Sequence, residues 1–171
     1  MEQEEWKDFE MIGIISDTHE NESAIKRAVS IFKQKNVEFV VHCGDIISPP
    51  MLEHFKGLNM KFVFGNNDGE RSGLNGKAKE FSFEEITDEK EFRYKGKKFY
   101  VYHGTNKEKL DSAIKRNKYN YVLTGHTHIK RDERIGKTRV INPGALFRVY
   151  PYTIALLDAE ADELKFISLI T

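Results

Sequence analysis

The chain has 171 residues, enough for one domain with a buried core and too few for two full ones. Its 27 basic and 27 acidic residues cancel, which argues against a protein that grips nucleic acid through a broad positive surface. A single cysteine, Cys43, excludes an internal disulfide, and no apolar run approaches the ~20 residues that span a bilayer.

Residues 1–10, MEQEEWKDFE, are acidic and lack the basic and apolar regions of a secretion signal, so the chain is expected to work in the cytoplasm. They read as a loosely held extension ahead of one domain over residues 11–171. Ile12 to Ile15 is an apolar run that breaks into Ser16, Asp17, Thr18 and His19, the pattern of a buried parallel strand with polar residues at its carboxyl end. If the pleat continues, Asp17 and His19 face the same side. Ala24, Ile25, Ala28, Val29, Ile31 and Phe32 recur at helical spacing, which predicts a helix from Glu22 to about Lys35 capped by Asn21. Val37 to Val41 is a second buried strand, tipped by His42, Cys43, Gly44 and Asp45. Pro49 and Pro50 open a short helix through Phe55, and Met60 to Phe64 is a third strand ending in Gly65, Asn66, Asn67 and Asp68.

Arg71 to Lys79 reads as a basic, glycine-containing loop. Strands are then expected in succession at Glu80–Glu84, Glu91–Tyr94 and Lys98–His103, with a hairpin turn between Tyr94 and Phe99. Lys107 to Lys115 is predicted to be a helix with Leu110, Ala113 and Ile114 on one side. Tyr121 to Leu123 is a strand tipped by Gly125, His126, Thr127 and His128. Short strands follow at Lys130–Arg134, Lys137–Ile141, Thr153–Asp158 and Leu164–Ile170. The last two form a hairpin, and Asn142-Pro143-Gly144 makes a turn between strands.

Five strand tips therefore carry Asp17 with His19, Asp45, Asn66, His103, and His126 with His128. Each has a bland reading by itself: a turn aspartate, a left-handed asparagine, a surface histidine. Together they are the signature of an assembled site, because four of the six histidines fall at tips. Gly44, Gly65 and Gly125 beside them suit backbone that must come close to a bound group. Two aspartates, one asparagine and four histidines are too many donors for one cation and about right for two that share a carboxylate.

In this order the blocks Asp17-Thr18-His19, Gly44-Asp45, Gly65-Asn66-Asn67-Asp68, His103-Gly104 and Gly125-His126-Thr127-His128 resemble the calcineurin-like metallophosphoesterase superfamily. The sequence is most similar to its small prokaryotic phosphodiesterase branch, which shares Asn66-Asn67-Asp68-Gly69 and the Asn142-Pro143-Gly144 turn. The resemblance covers nearly the whole chain after residue 10. It implies an α/β fold, a four-layer α-β-β-α sandwich of two mixed β-sheets flanked by helices. It further implies that Asp17, His19 and His128 hold a first metal and Asn66, His103 and His126 a second. Asp45 would bridge them, with Asp45, Asn66 and His103 as the catalytic set. The implied reaction is phosphodiester hydrolysis by a metal-bridging hydroxide. An oxygen and nitrogen donor set without thiolate suits Mn²⁺, with Ni²⁺, Fe²⁺ and Zn²⁺ as alternatives, over Mg²⁺ or Ca²⁺.

One position departs from the family pattern: Asn67 stands where most members carry a histidine, and an amide cannot donate a proton near neutrality. That disfavours monoesters and poor leaving groups. Asn67, Arg71 and Arg148 are the candidate substrate-binding residues, the arginines as bidentate phosphate partners. Phe147 and Tyr150 either stack on a base or pack under the turn. His42 is expected to face the sheet interior, Cys43 to be a packing residue, and Asp68 to brace the loop or a ligand histidine. The expected partner is a small phosphodiester, with neither long nucleic acid nor membrane involved, and a homodimer is left open. Two rivals stand beside this reading. One is a nuclease or cyclic-nucleotide phosphodiesterase of the same chemistry. The other is a protein-binding scaffold like the retromer's vacuolar-sorting subunit, which is similar to this branch; the complete ligand set weighs against it.

Overall fold

Alternation along the strands sorts the buried side chains into three layers of core. The computed structural model describes residues 10–169, so residues 1–9 of the expected extension and Ile170 of the expected last strand lie outside the described residues. In chain order the elements are β1 (Ile12–Ile15), α1 (Glu22–Gln34), β2 (Phe39–His42), a 3₁₀ helix (Pro49–Phe55), β3 (Met60–Phe62), α2 (Arg71–Glu80), β4 (Glu89–Tyr94) and β5 (Lys97–Tyr102). Then follow α3 (Lys107–Lys115), β6 (Tyr121–Leu123), β7 (Arg131–Ile135), β8 (Thr138–Asn142), β9 (Thr153–Asp158) and β10 (Glu163–Ser168). They make two five-stranded mixed sheets, ordered β10-β9-β1-β2-β3 and β4-β5-β6-β8-β7.

On β1, Ile12 and Ile14 point between the sheets, where they meet Phe99 and Val101 of β5 and Leu123 of β6. Ile15 points the other way, into a core shared with Ile25, Ala28 and Phe32 of α1, Leu52 and Phe55 of the 3₁₀ helix, and Leu74 and Ala78 of α2. On β5 the intervening Tyr100 and Tyr102 turn outward onto Leu110, Ala113 and Ile114 of α3. The result is the expected α-β-β-α sandwich, with α1, α2 and the 3₁₀ helix on one side and α3 on the other. Gly13 shows how close the outer contact is: a Cβ there would lie 2.5 Å from the Phe32 ring. Gly13→Ala would displace a fully buried phenylalanine, whose burial stabilises the fold by ~1.5–3 kcal/mol.

Parallel pairing fixes where the tips go. β1, β2 and β3 are parallel neighbours, as are β5, β6 and β8, so each set ends at one edge of its sheet. The two edges meet, because Nδ1 of His103 after β5 bonds the carbonyl of Cys43 after β2 at 2.7 Å.

Two expectations are corrected. Residues 71–80 form helix α2, not a loop. Its two glycines disfavour a helix by about 1 kcal/mol each, but Leu74 and Ala78, one turn apart, are buried in the core. At Gly73 the missing side chain lets α2 lie against Pro49 Cγ, 3.0 Å from where a Cβ would sit. The strand expected at 80–84 is absent among the described residues; α2 runs through Glu80, and Phe81 and Phe83 pack on the first core instead. Elsewhere the boundaries move by a residue or two. The β4–β5 turn is Lys95-Gly96, with φ 50° and 73°, the geometry of a two-residue hairpin.

Candidate metal centre

The pleat of β1 does not carry into its tip. Asp17 and His19 take φ of 51° and 47°, and Asp45, His126 and His128 take 63°, 70° and 64°. The expectation that strand alternation aims Asp17 and His19 together is therefore corrected: the backbone inverts at each of these residues. Left-handed backbone costs an L residue about 1–2 kcal/mol, so the surroundings must hold each one in place. Asp17 N–H donates to the Gly44 carbonyl (2.9 Å), His19 N–H to the Asp45 carbonyl (3.1 Å) and Leu146 N–H to the Asp17 carbonyl (3.1 Å).

The Asp45 turn is held by Asp68. Its carboxylate, 2% exposed, accepts from the N–H groups of Asp45 (2.9 Å), Ile46 (2.8 Å), Ile47 (2.7 Å) and Gly65 (2.7 Å). Of its two expected roles Asp68 fills the first: it braces the loop. Burial pushes its carboxyl above the ordinary value, against the pull of those donors. The tip glycines admit side chains of the site itself. A Cβ on Gly65 would fall 2.1 Å from Asp45 Oδ1, and one on Gly125 2.0 Å from Ser16 Oγ.

Nδ1 of His103 can bond the Cys43 carbonyl only by donating, so in the neutral ring Nε2 presents a lone pair. It faces Asn66 Oδ1 at 3.1 Å, and the same oxygen lies 3.2 Å from His126 Nδ1. With His126 in its Nε2–H tautomer, these three atoms form a set of acceptors that suits a cation. On the other side Asp17 Oδ1 stands 3.2 Å from His128 Nε2, and His19 Nε2 completes a group of donor atoms all within 4.8 Å of one another. Asp17 Oδ1 and His19 Nε2 are buried and, apart from their approach to the carboxylates and imidazoles of the cluster itself, have no hydrogen-bond partner among the described residues. Donors about 2.1 Å from one ion at 90–109° are about 3.0–3.4 Å apart, so the observed spacings fit transition-metal coordination. Between the two groups lies Asp45, with Oδ2 3.5 Å from His19 Nε2 and 3.6 Å from His103 Nε2.

Burial works to raise the Asp45 carboxyl, but the imidazoles of His103 and His19 outweigh it and hold it well below the usual carboxylate range. Burial opposes charge on His103, yet Asp45 and Asp17 raise it on balance; His128 is raised chiefly by the Asp17 carboxylate beside it. Carboxylates and imidazoles so placed favour positive charge at the cluster, the charge that a bound cation would supply. His42 is different. Burial pushes it down to about 3. Gly44 N–H donates to its Nδ1 (3.1 Å), so Nε2 carries the proton and donates to Thr18 Oγ1 (3.0 Å). It is fully buried, but against Phe55 and Phe62 on the helix-covered face of the first sheet and not between the two sheets, while Cys43 is a buried packing residue.

A cavity of about 560 Å³ opens over the cluster, lined by five of the seven expected ligand side chains together with Ile47, Asn67, Phe147 and Arg148. Asn67 turns back onto the ligands: its backbone N–H donates to Asp45 Oδ1 (3.0 Å) and its amide to Asp45 Oδ2 (2.9 Å). Arg148 stands at the lip with no carboxylate partner among the described residues. Arg71 does not line the cavity; its guanidinium bonds Asp88 at 2.6 Å and lies over the Phe64 ring. Phe147 stacks on His19, ring centroids 3.9 Å apart, while Tyr150 is 62% exposed beside Tyr152. Sequence reasoning missed the Phe147–His19 stack and the Ser16 hydroxyl, which donates to Asp17 Oδ2 at 2.5 Å. Neither leaves a periodic signal.

Two mixed sheets that gather carboxylates and imidazoles at the ends of their parallel strands define a metal-dependent phosphoesterase architecture. The chain belongs to the calcineurin-like phosphoesterase superfamily, a family of metal-dependent enzymes, and residues 11–162 match its domain. Phosphodiesterase MJ0936 of Methanocaldococcus jannaschii is 39% identical over 163 residues, covering 92% of this chain and 98% of that protein. A solved archaeal phosphodiesterase superposes with a TM-score of 0.88 at 37% identity, covering 93% of this chain and 99% of that one. A single mutant of Vps29 from Entamoeba histolytica gives a TM-score of 0.68 at 14% identity over 94% of this chain and 99% of that one, a likeness of fold alone. No helix among the described residues is long and apolar enough to cross a membrane.

Proposed function

We propose that the protein hydrolyses small phosphodiesters in the cytoplasm, with one divalent ion held by Asp17, His19 and His128, a second by Asn66, His103 and His126, and Asp45 between them. The observation that carries this reading is the position of Asp45 Oδ2, within 3.6 Å of one imidazole from each group, beside two buried donor atoms whose near neighbours among the described residues are the other members of the cluster. Divalent ions bound there supply Lewis acidity, lowering the pKa of a water and neutralising charge on phosphoryl oxygens. Mn²⁺ suits the mixed oxygen and nitrogen donors, with Ni²⁺, Fe²⁺ and Zn²⁺ as alternatives.

The chain's own residues then bind and orient. Arg148 offers a planar pair of donors to the substrate phosphate at the cavity lip. Asn67 keeps both oxygens of Asp45 fixed, so its amide is engaged with a ligand before substrate arrives. No cavity-lining side chain outside the ligand set is an acid of the right strength, and His42 is neutral and buried away from it. A leaving group must then depart with little protonation, which favours diesters with acidic leaving alcohols. The name of the 39% identical relative supports the diester assignment. A cavity of about 560 Å³ is the size of a small-ligand site, and with zero net charge it supports a small substrate over long nucleic acid. The complete donor set supports catalysis over a scaffold role.

The test strips the protein of metal, reloads it with each of the four cations and measures turnover of matched aryl diesters and monoesters. Mn²⁺ should restore diester hydrolysis, with the monoester slower. No turnover of any diester with any cation would refute the reading.

A further inference from the structure

The two groups of ligands are supported in different ways. His103 is oriented by a hydrogen bond, Nδ1–H to the Cys43 carbonyl at 2.7 Å, the usual device for aiming a metal-binding imidazole. His19 has no such support: nothing among the described residues bonds its Nδ1. Instead its ring lies on Phe147, centroids 3.9 Å apart and planes 17° from parallel. His128 meets the edge of the same phenyl ring, 6.2 Å away at 71°, and the two imidazoles stand 6.0 Å apart, edge to face. The Arg148 guanidinium also lies over the Phe147 ring, 5.0 Å from its centroid.

Phe147 is itself well anchored. Leu146, fully buried, donates its N–H to the Asp17 carbonyl (3.1 Å) and accepts from the Asn21 side chain (2.8 Å). The ring is thus tied to the loop whose ligands it touches.

We propose that Phe147 is a positioning residue of the first metal group, holding the His19 and His128 imidazoles in coordinating orientation by stacking and edge contact, in place of the hydrogen bonds that orient His103. The inference rests on the two-ion reading above. Stacking fixes the plane of a ring without using either nitrogen, so His19 keeps Nε2 directed at Asp45 although its Nδ1 is unheld. A consequence is asymmetry between the ions: loss of the flat ring loosens the first group and leaves the second untouched.

The experiment titrates metal-free protein with Co²⁺ alone and follows its visible absorption, in wild type, Phe147→Leu and Phe147→Tyr, with thermal unfolding measured in parallel. Phe147→Leu keeps most of the apolar bulk and loses the ring; it should weaken one of the two Co²⁺ affinities by about 10–100-fold, the usual effect of removing a ligand's orienting partner. Phe147→Tyr should restore it. In a His128→Ala background, where the first group is already crippled, Phe147→Leu should change nothing further. Two unchanged affinities in Phe147→Leu would overturn the inference while leaving the two-ion reading intact, and so would an equal loss at both. A wild type that binds fewer than two Co²⁺ would refute the two-ion reading and the inference together.

Discussion

Asp68 is the residue whose removal should reveal how the centre is kept in shape. Its two carboxylate oxygens accept four backbone N–H bonds of 2.7–2.9 Å from Asp45, Ile46, Ile47 and Gly65, three of them buried and that to Ile47 part-buried. In Asp68→Asn one oxygen becomes an NH₂, and whichever way the amide lies it faces two N–H donors it cannot accept. A hydrogen bond to a charged group contributes ~1.5–3 kcal/mol, so losing two costs about 3–6 kcal/mol before relaxation. Rearrangement of the loop brings the expected loss to about 3 kcal/mol, tolerable for a domain stable by ~5–15 kcal/mol. For a chain of this size that is a fall in Tm of roughly 6–12 °C. Urea unfolding of the metal-free variant measures it. Because the bonds hold Asp45 at φ 63°, Co²⁺ affinity should fall in both groups. A loss below about 1 kcal/mol with unchanged Co²⁺ binding would refute the claim that Asp68 holds this turn.

Three further outcomes are expected. Burial pushes His42 down to about 3, whereas an unfolded chain protonates it near ~6.5, so its contribution to stability is complete above that pH and falls on acidification by ~1.4 kcal/mol per pH unit. His42→Asn should remove that slope between about pH 6 and 4 in metal-free unfolding measurements; identical slopes would contradict a buried neutral ring. His128→Ala and His126→Ala should each empty mainly one metal position, the first and second respectively, as read by anomalous scattering from crystals grown with Mn²⁺; both emptying the same position would break the division of ligands. Asn67→His should narrow the gap in kcat/KM between an aryl and an alkyl diester, by up to the ~10²–10⁴ that a general acid contributes, provided the ring reaches the leaving oxygen. An unchanged gap would mean that proton donation is not what Asn67 lacks.

The strands, two of the three α-helices and the layer each side chain enters were legible from the sequence, because they follow from periodicities of two and about 3.6 that act over a few residues. The residues that gather at the cluster were legible for a related reason: each tip carries its carboxylate, amide or imidazole shortly after an apolar run, so the polar break marks the residue. Other features depend on distant parts of the chain. Helix α2 has a weak apolar stripe and two glycines, and only its packing on Pro49 and the first core selects the helix. The aim of Asp17, His19, Asp45, His126 and His128 comes from left-handed backbone that local preference opposes and that bonds between separate loops maintain. Arg71 and Arg148 were equivalent candidates in the sequence, each shortly after a glycine turn. The fold separates them by placing Asp88 beside one and the cavity beside the other. Phe147 meets His19 from 128 positions away, a contact fixed by where the β8–β9 connection crosses the tip of β1 and by no pattern within either segment. Sequence by itself determined which chemistry is present and in what frame; tertiary structure decided its orientation, because direction at a strand tip is set by contacts across the sheet edges, not by neighbours along the chain.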